Sequence, residues 1–176
     1  MAPPVEVDRS QRELILRAQR YEADALAELF ESSFDAVQHY VSTIVGDEAR
    51  AEEVLRQVFL RALEGLPKFR RFDTGFEVWL FRISNAILAD PARGTPSSAP
   101  LPPAGEDPGP RLRAAIARLT PDQREVLCLR FIAGLPAATV ARATGRRTGQ
   151  VQALQHRALL ALGRLLAPPA AEPAEA

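Results

Sequence analysis

The chain is poor in several residue types, and each shortage excludes something. Among 176 residues there is one cysteine, Cys128, so no internal disulfide can form. Together with the lack of a signal-peptide pattern, this suggests a reducing cytosol and a cytoplasmic protein. Histidines number two, His39 and His156, and they are far apart in sequence. With no ligand cluster around them and no phosphate-binding glycine loop, neither a metal nor a cofactor is expected, and no catalytic residue is assigned. No apolar run approaches the roughly 20 residues of a membrane span, so membrane insertion is not expected. Aromatic residues make up only 6%. With alanine and leucine dominant, the composition favours helix over sheet.

Net charge is also lacking, but only on average. Residues 1–93 carry 12 basic and 16 acidic side chains, whereas residues 109–167 carry 10 arginines against Asp122 and Glu125. An acidic front is joined to a basic back, and the basic back has the footprint of a polyanion binder. A well-solvated helical surface would give the same imbalance.

Hydrophobic residues, at 47%, are sufficient for a buried core. Their period is helical throughout residues 10–90. Leu14, Ile15 and Ala18 form one stripe. Leu26, Leu29, Phe30, Phe34, Val37, Val41 and Ile44 form the next, ended by Gly46. Val54, Leu55, Val58, Phe59 and Ala62 form a third, stopping at Gly65 and Pro67. The loop "KFRRFDTG" follows, with Thr74 as candidate N-cap. Phe76, Trp79, Leu80, Ile83 and Ile87 then share one side of a helix. Residues 91–110, rich in proline, glycine, serine and alanine, read as a flexible linker, and 168–176 as a disordered tail.

Residues 111–167 form a second helical module. Leu112, Ile116 and Leu119 make a short stripe. Thr120 and Pro121 suit the N-cap and first position of the next helix, which Gly134 ends. In "GLPAATVARATGRRTGQVQALQHRALLAL", Ala141, Gly145 and Val151 supply the small contact, the positive-φ turn and the apolar anchor of a helix-turn-helix, with Val140 in the preceding core position. Arg146 and Arg147 lie near the start of the second helix, where side chains reach phosphates or base edges. An ordinary helical hairpin is the alternative on spacing alone. The expected fold is all-α: two small helical domains joined by a flexible Pro-rich linker, the second containing a helix-turn-helix.

Three blocks, in order, carry a family resemblance: "AEEVLRQVFLRAL", "LPKFRRFDTGFEVWLFRISNAILAD" and "LTPDQREVLCLRFIAGLPAATVARATGRRTGQVQALQHRALLAL". The chain resembles bacterial RNA polymerase sigma factors of the extracytoplasmic-function (ECF) group over about residues 20–167. The resemblance implies no enzyme. It implies a protein that binds core RNA polymerase, directs it to promoters and opens the DNA, with promoter DNA and an anti-sigma factor as further partners. Residues 10–90 correspond to the domain for polymerase binding and −10 recognition, and 111–167 to the −35-reading domain.

By the same resemblance, Glu52, Glu53, Leu55, Arg56 and Leu60 occupy the polymerase-contact region, although Leu55, Phe59 and Leu60 also read as core, Phe59 most of all. Lys68, Phe69, Arg70, Arg71, Phe72, Arg82 and Asn85 fall in the −10 region. The cations there attract phosphates, and Phe69 and Phe72 either stack on a base or pack in the core. Arg82 and Asn85 either meet the promoter strand or form an exposed polar helix face, and Trp79 reads as core. Arg146, Arg147, Gln150, Gln152, His156 and Arg157 form the −35 set, with glutamines suited to adenine edges and arginines to phosphates.

The chain departs from the family pattern in places. Arg56 and Gln57 stand where Gln then Glu is usual. Pro91 and a lone Arg93 replace a basic stretch after Asp90. Thr144 and Arg146 replace apolar residues at the turn. Gln152 and Leu154 replace Lys and Arg, and Gln155 replaces a leucine whose core role Leu154 would take. Two other functions therefore stay open: an interaction protein that binds polymerase or an anti-sigma factor without reading promoters, and a plain helix-turn-helix DNA-binding regulator.

Overall fold

The computed structural model describes residues 9–70, 72–89 and 109–167. These form α-helices with short 3-10 and π segments, and no strand is present among them. The order is α1 (Arg9–Ala18), α2 (Ala23–Val45), α3 (Glu48–Gly65), a 3-10 turn (Leu66–Lys68), α4 (Phe76–Leu88), α5 (Gly109–Ala117), α6 (Pro121–Leu127) continuing into a π segment (Cys128–Ile132), α7 (Ala137–Thr144) and α8 (Thr148–Leu166). The linker reading at 91–108 and the tail at 168–176 lie outside the described residues. Positions 109 and 110, read as the end of the linker, open α5.

Helices α1 to α4 bury most of the stripes that their spacing announces, with Phe34 left exposed. Ile15, Leu29, Val37, Val41, Val58, Phe76, Leu80 and Ile87 are all within 1% of complete burial. Local signals fix the helix ends. Asp47 caps α3 by accepting from the Arg50 N–H at 2.8 Å, satisfying one of the donors orphaned at any helix start. The start of α4 differs from expectation. Thr74 is buried, and the cap position belongs to Gly75, at φ +86° and ψ 160°. That backbone region is essentially open to glycine alone, so the turn into α4 uses glycine geometry in place of a hydroxyl cap.

In the second module, Thr120 caps α6 with Pro121 inside the first turn, as the sequence predicts, and Gln123 completes a reciprocal capping box with Thr120. Gly145 (φ +70°) closes α7. The Arg146 N–H bonds to the Ala141 carbonyl at 2.9 Å and the Gly145 N–H to that of Arg142 at 3.4 Å, a Schellman ending that turns the chain into α8. Val140, Ala141 and Val151 are buried at this corner, which gives the helix-turn-helix its fixed angle.

Four consecutive residues, Val126, Leu127, Cys128 and Leu129, are buried. Successive helical residues point about 100° apart, so such a run is covered on more than one side. One side packs on α8. On another, Cys128 lies near Tyr40 of α2, both in the same buried cluster. The buried residues of both modules thus form one contiguous cluster.

Candidate nucleic-acid interface

Three surfaces hold the expected residues. On α3, Glu52, Glu53, Arg56 and Leu60 are exposed. Arg56 pairs with Glu53, whose other oxygen accepts from Gln57. Leu55 is 7% exposed and packed in the core, so it is not available to a partner in this fold. It lies on the buried stripe with Val54 and Val58, whereas Leu60 falls on the opposite face and is 55% exposed. An apolar groove runs between α2 and α3, lined by Leu26, Ala27, Phe30, Arg56, Phe59, Leu60 and Leu63. Phe34 continues it, stacked on Phe59 at 5.7 Å. Phe30, Phe34 and Leu63 were missed as surface residues. The period of Phe30 and Phe34 reads as core and Leu63 falls outside the stripes, and only an apolar excess over what one helix face can bury hints at the groove.

The second surface is the loop before α4. Lys68 and Arg70 are exposed, and Arg70 donates to the carbonyls of Pro67 and Phe69. Arg71 lies outside the described residues. Phe69 is core: it is 4% exposed and packs against Phe72, Phe76 and Trp79 with ring centroids 4.9–5.9 Å apart. It therefore presents no face to a base. Phe72 is half-buried, with the Arg12 guanidinium 5.1 Å from its ring centroid. Gln19 on α1 holds this loop by donating to the carbonyls of Leu66 and Phe69 at 2.9 and 2.8 Å. Nothing local in the sequence marks Gln19 for that task. Trp79 lies against Gly65, where a Cβ would come within 2.9 Å of the indole.

Arg82 and Asn85 on α4 form no exposed polar face. Asn85 is buried, its Oδ1 accepting from the Tyr40 hydroxyl at 3.0 Å. Arg82 pairs with Glu125 of α6, Nε to Oε1 3.5 Å. Each is covered by a partner remote in sequence.

The third surface is the start and exposed side of α8. Arg147, Gln150, Gln152, His156 and Arg157 are all exposed. Gln150 Oε1 accepts from the Arg147 N–H at 2.8 Å and so caps the helix. Arg157 Nε donates weakly to the Ala153 carbonyl at 3.3 Å. Arg146 is the exception. Its guanidinium bridges Asp122 (2.9 Å) and Glu125 (2.8 Å). A cation neutralised by two carboxylates holds helices together and is not free to grip phosphate. Leu154 packs partly against the core, and Gln155 accepts from Arg130 Nε at 2.9 Å, so Leu154 does take the apolar role.

Cys128 is buried, and desolvation pushes its thiol up to about 12. No group of three or more metal-ligating side chains is found among the described residues, and no helix there is long and apolar enough to cross a membrane.

Comparison with known proteins follows the same division. The family model for Sigma-70 region 2 matches residues 29–94, and that for Sigma-70 region 4 matches 110–162. The ECF RNA polymerase sigma factor BldN of Streptomyces coelicolor is 34% identical over 171 residues, which cover 88% of this chain and 65% of that protein. The chain thus spans less than two thirds of that relative's length. The ECF RNA polymerase sigma factor SigD of Mycobacterium tuberculosis is 31% identical over 157 residues, covering 77% of this chain and 74% of SigD. Among solved structures, CnrH in complex with the cytosolic domain of CnrY shares the fold, with a TM-score of 0.65 at 22% identity, over 89% of this chain and 97% of that one. With region 2 and region 4 in order and a relative such as SigD matched over most of its length, the chain belongs to the ECF RNA polymerase sigma factor family.

Proposed function

We propose that this chain is a cytoplasmic promoter-specificity subunit: it binds core RNA polymerase through the α2–α3 surface, reads promoter DNA through α8 and the loop before α4, and leaves the chemistry to the polymerase. The observation that carries this reading is the exposed apolar groove beside Leu60, on a module that precedes a basic helix-turn-helix in the family order. Six apolar side chains in one open groove are costly to leave in water, and a partner that fills them recovers that cost. On the DNA side, Arg147, Gln152 and Arg157 supply phosphate and base-edge contacts, while Lys68, Arg70 and Phe72 face the opened strand. An anti-sigma factor would compete for the same surfaces. A protein of similar fold, the sigma factor RpoE of Bartonella quintana, is seen in complex with the anti-sigma factor NepR.

The test is run-off transcription from genomic promoter fragments with core polymerase and this chain. Specific start sites that vanish with Leu60→Asp, in a folded protein, support the proposal. Their absence with the parent chain removes it.

The interaction-only reading keeps one observation in its favour. Three of the expected DNA contacts, Arg82, Asn85 and Arg146, are engaged within the protein. Polymerase binding without start sites would select it.

A further inference from the structure

Helix α1 precedes the residues that match Sigma-70 region 2, which begin at 29, yet its end of the chain meets the loop before α4 at two points. Arg12, Ile15 and Gln19 fall on one face, spaced by three and four residues. Ile15 is fully buried and seats that face on the core. Arg12 sets its guanidinium 5.1 Å from the Phe72 ring centroid. Gln19, the first residue past α1, turns its amide into the loop. Its Nε2 donates to the Leu66 carbonyl at 2.9 Å and to that of Phe69 at 2.8 Å. A side-chain amide has two N–H donors, so both are used. Gln19 is itself held in place. Its N–H bonds to the Ile15 carbonyl at 2.9 Å, and the turn that follows carries Tyr21 at φ +60° and Glu22 paired with Arg17 and Arg20, each at 2.7 Å.

The two carbonyls lie where the chain changes task. Leu66 opens the 3-10 turn, Phe69 leaves it with an extended backbone (φ −65°, ψ 129°), and Phe72 then stands half-buried. Each carbonyl keeps a second donor: the Phe69 N–H reaches Leu66 at 3.0 Å, and Arg70 reaches Phe69 at 2.8 Å. Removing the Gln19 amide therefore strands neither acceptor, and its cost to stability is small. What is lost is the tie from the loop to the end of α1, 47 and 50 residues away in sequence. We infer that Gln19 is a positioning residue for promoter opening: it holds the loop so that Lys68, Arg70 and Phe72 stay presented to the separated strand, without touching DNA itself. The inference rests on the proposed function for the task of the loop. The brace stands on contacts within the first module.

Two full-chain variants test it. Gln19→Met keeps the length of the side chain and removes its donors, and Gln19→Glu puts acceptors in their place. Trp79 is the chain's one tryptophan and packs on Phe69 at 4.9 Å, so its fluorescence reports the loop without DNA. Acrylamide quenching should rise about twofold in both variants, as local opening uncovers the indole. The urea midpoint and far-UV circular dichroism should stay near the parent. With core polymerase and a promoter fragment active in run-off transcription, closed-complex affinity should stay within about twofold, while permanganate reactivity of the opened strand falls about three- to tenfold, because a loop that wanders is competent for only part of the time.

Parental quenching in both variants overturns the brace. Raised quenching with parental permanganate reactivity overturns the role in opening. A closed-complex affinity that falls as far as opening does, with a lowered urea midpoint, makes Gln19 a folding residue only and also overturns it. A parent chain that yields no start site removes the proposed function, and with it this role in opening, while quenching still judges the brace.

Discussion

Phe69 and Phe72 stand three positions apart between the same cations, yet they face different tasks. Phe69 fills the space between Phe76 and Trp79, so Phe69→Ala should cost about 3–5 kcal/mol of stability. Phe72 keeps part of its ring open beneath Arg12. Phe72→Ala should cost much less stability but lose about 1–3 kcal/mol of base stacking. Urea melts and permanganate footprints of an open promoter complex separate the two. Equal loss of stability in both variants would mean that the loop has no stacking residue. The sequence left core and stacking open for the pair, because two rings in one loop cannot both follow a helical period. Cys128 carries a pH consequence. Its thiol is raised from about 8.5 to about 12, and Tyr40 moves the same way, both chiefly through burial. The fold favours the neutral thiol, so the contribution of Cys128 is complete below about pH 8.5 and is lost as pH rises through about 12, and Tyr40 adds to the loss at high pH. The urea midpoint should fall over that window, and Cys128→Ala should flatten part of the fall.

Along α3 and α8, neighbouring side chains of similar type separate by face. Leu55→Ala should destabilise by about 2–5 kcal/mol, because it empties a packed site. Leu60→Ala, on the solvent side, should leave the urea midpoint nearly unchanged and weaken core polymerase binding in a titration. On α8, Arg147→Ala and Arg157→Ala should each lower the salt slope of duplex binding by about 0.9. Arg146→Ala should leave the slope and lower stability instead, since its partners are Asp122 and Glu125. A reduced slope for Arg146→Ala would show that the bridge opens on DNA. Periodicity made the helices, the Thr120 box and the Gly145 turn legible, because each is written within a few residues. The role of Arg146 was not legible: its partners lie more than one helix away, and position at a helix start suggests phosphate equally well. The same holds for Phe81, Ser84, Asn85 and Leu88, buried on a side of α4 whose cover comes from elsewhere in the chain.

At the scale of the molecule, an acidic first module and a basic second one attract one another, and the sequence shows that asymmetry. What it does not show is where they touch. The junction joins Tyr40, Cys128, Leu88 and Ile116 into the common core while leaving the Asn85 Nδ2 and Arg124 Nε donors without a hydrogen-bond partner. Apolar burial favours this contact and the orphaned donors oppose it, so its persistence should depend on the covalent connection between the modules. A covalent connection between two modules can set an effective concentration in the millimolar range. The proline-rich composition of residues 91–108 makes that segment the expected first site of limited proteolysis. After a cut there, the two modules should separate on gel filtration at about micromolar concentration, where the lost tether is no longer replaced by mass action. Cys128, buried in the intact chain, should then be alkylated faster by N-ethylmaleimide than before the cut. Co-elution of the fragments with the thiol still protected would mean that the junction is strong enough to persist untethered.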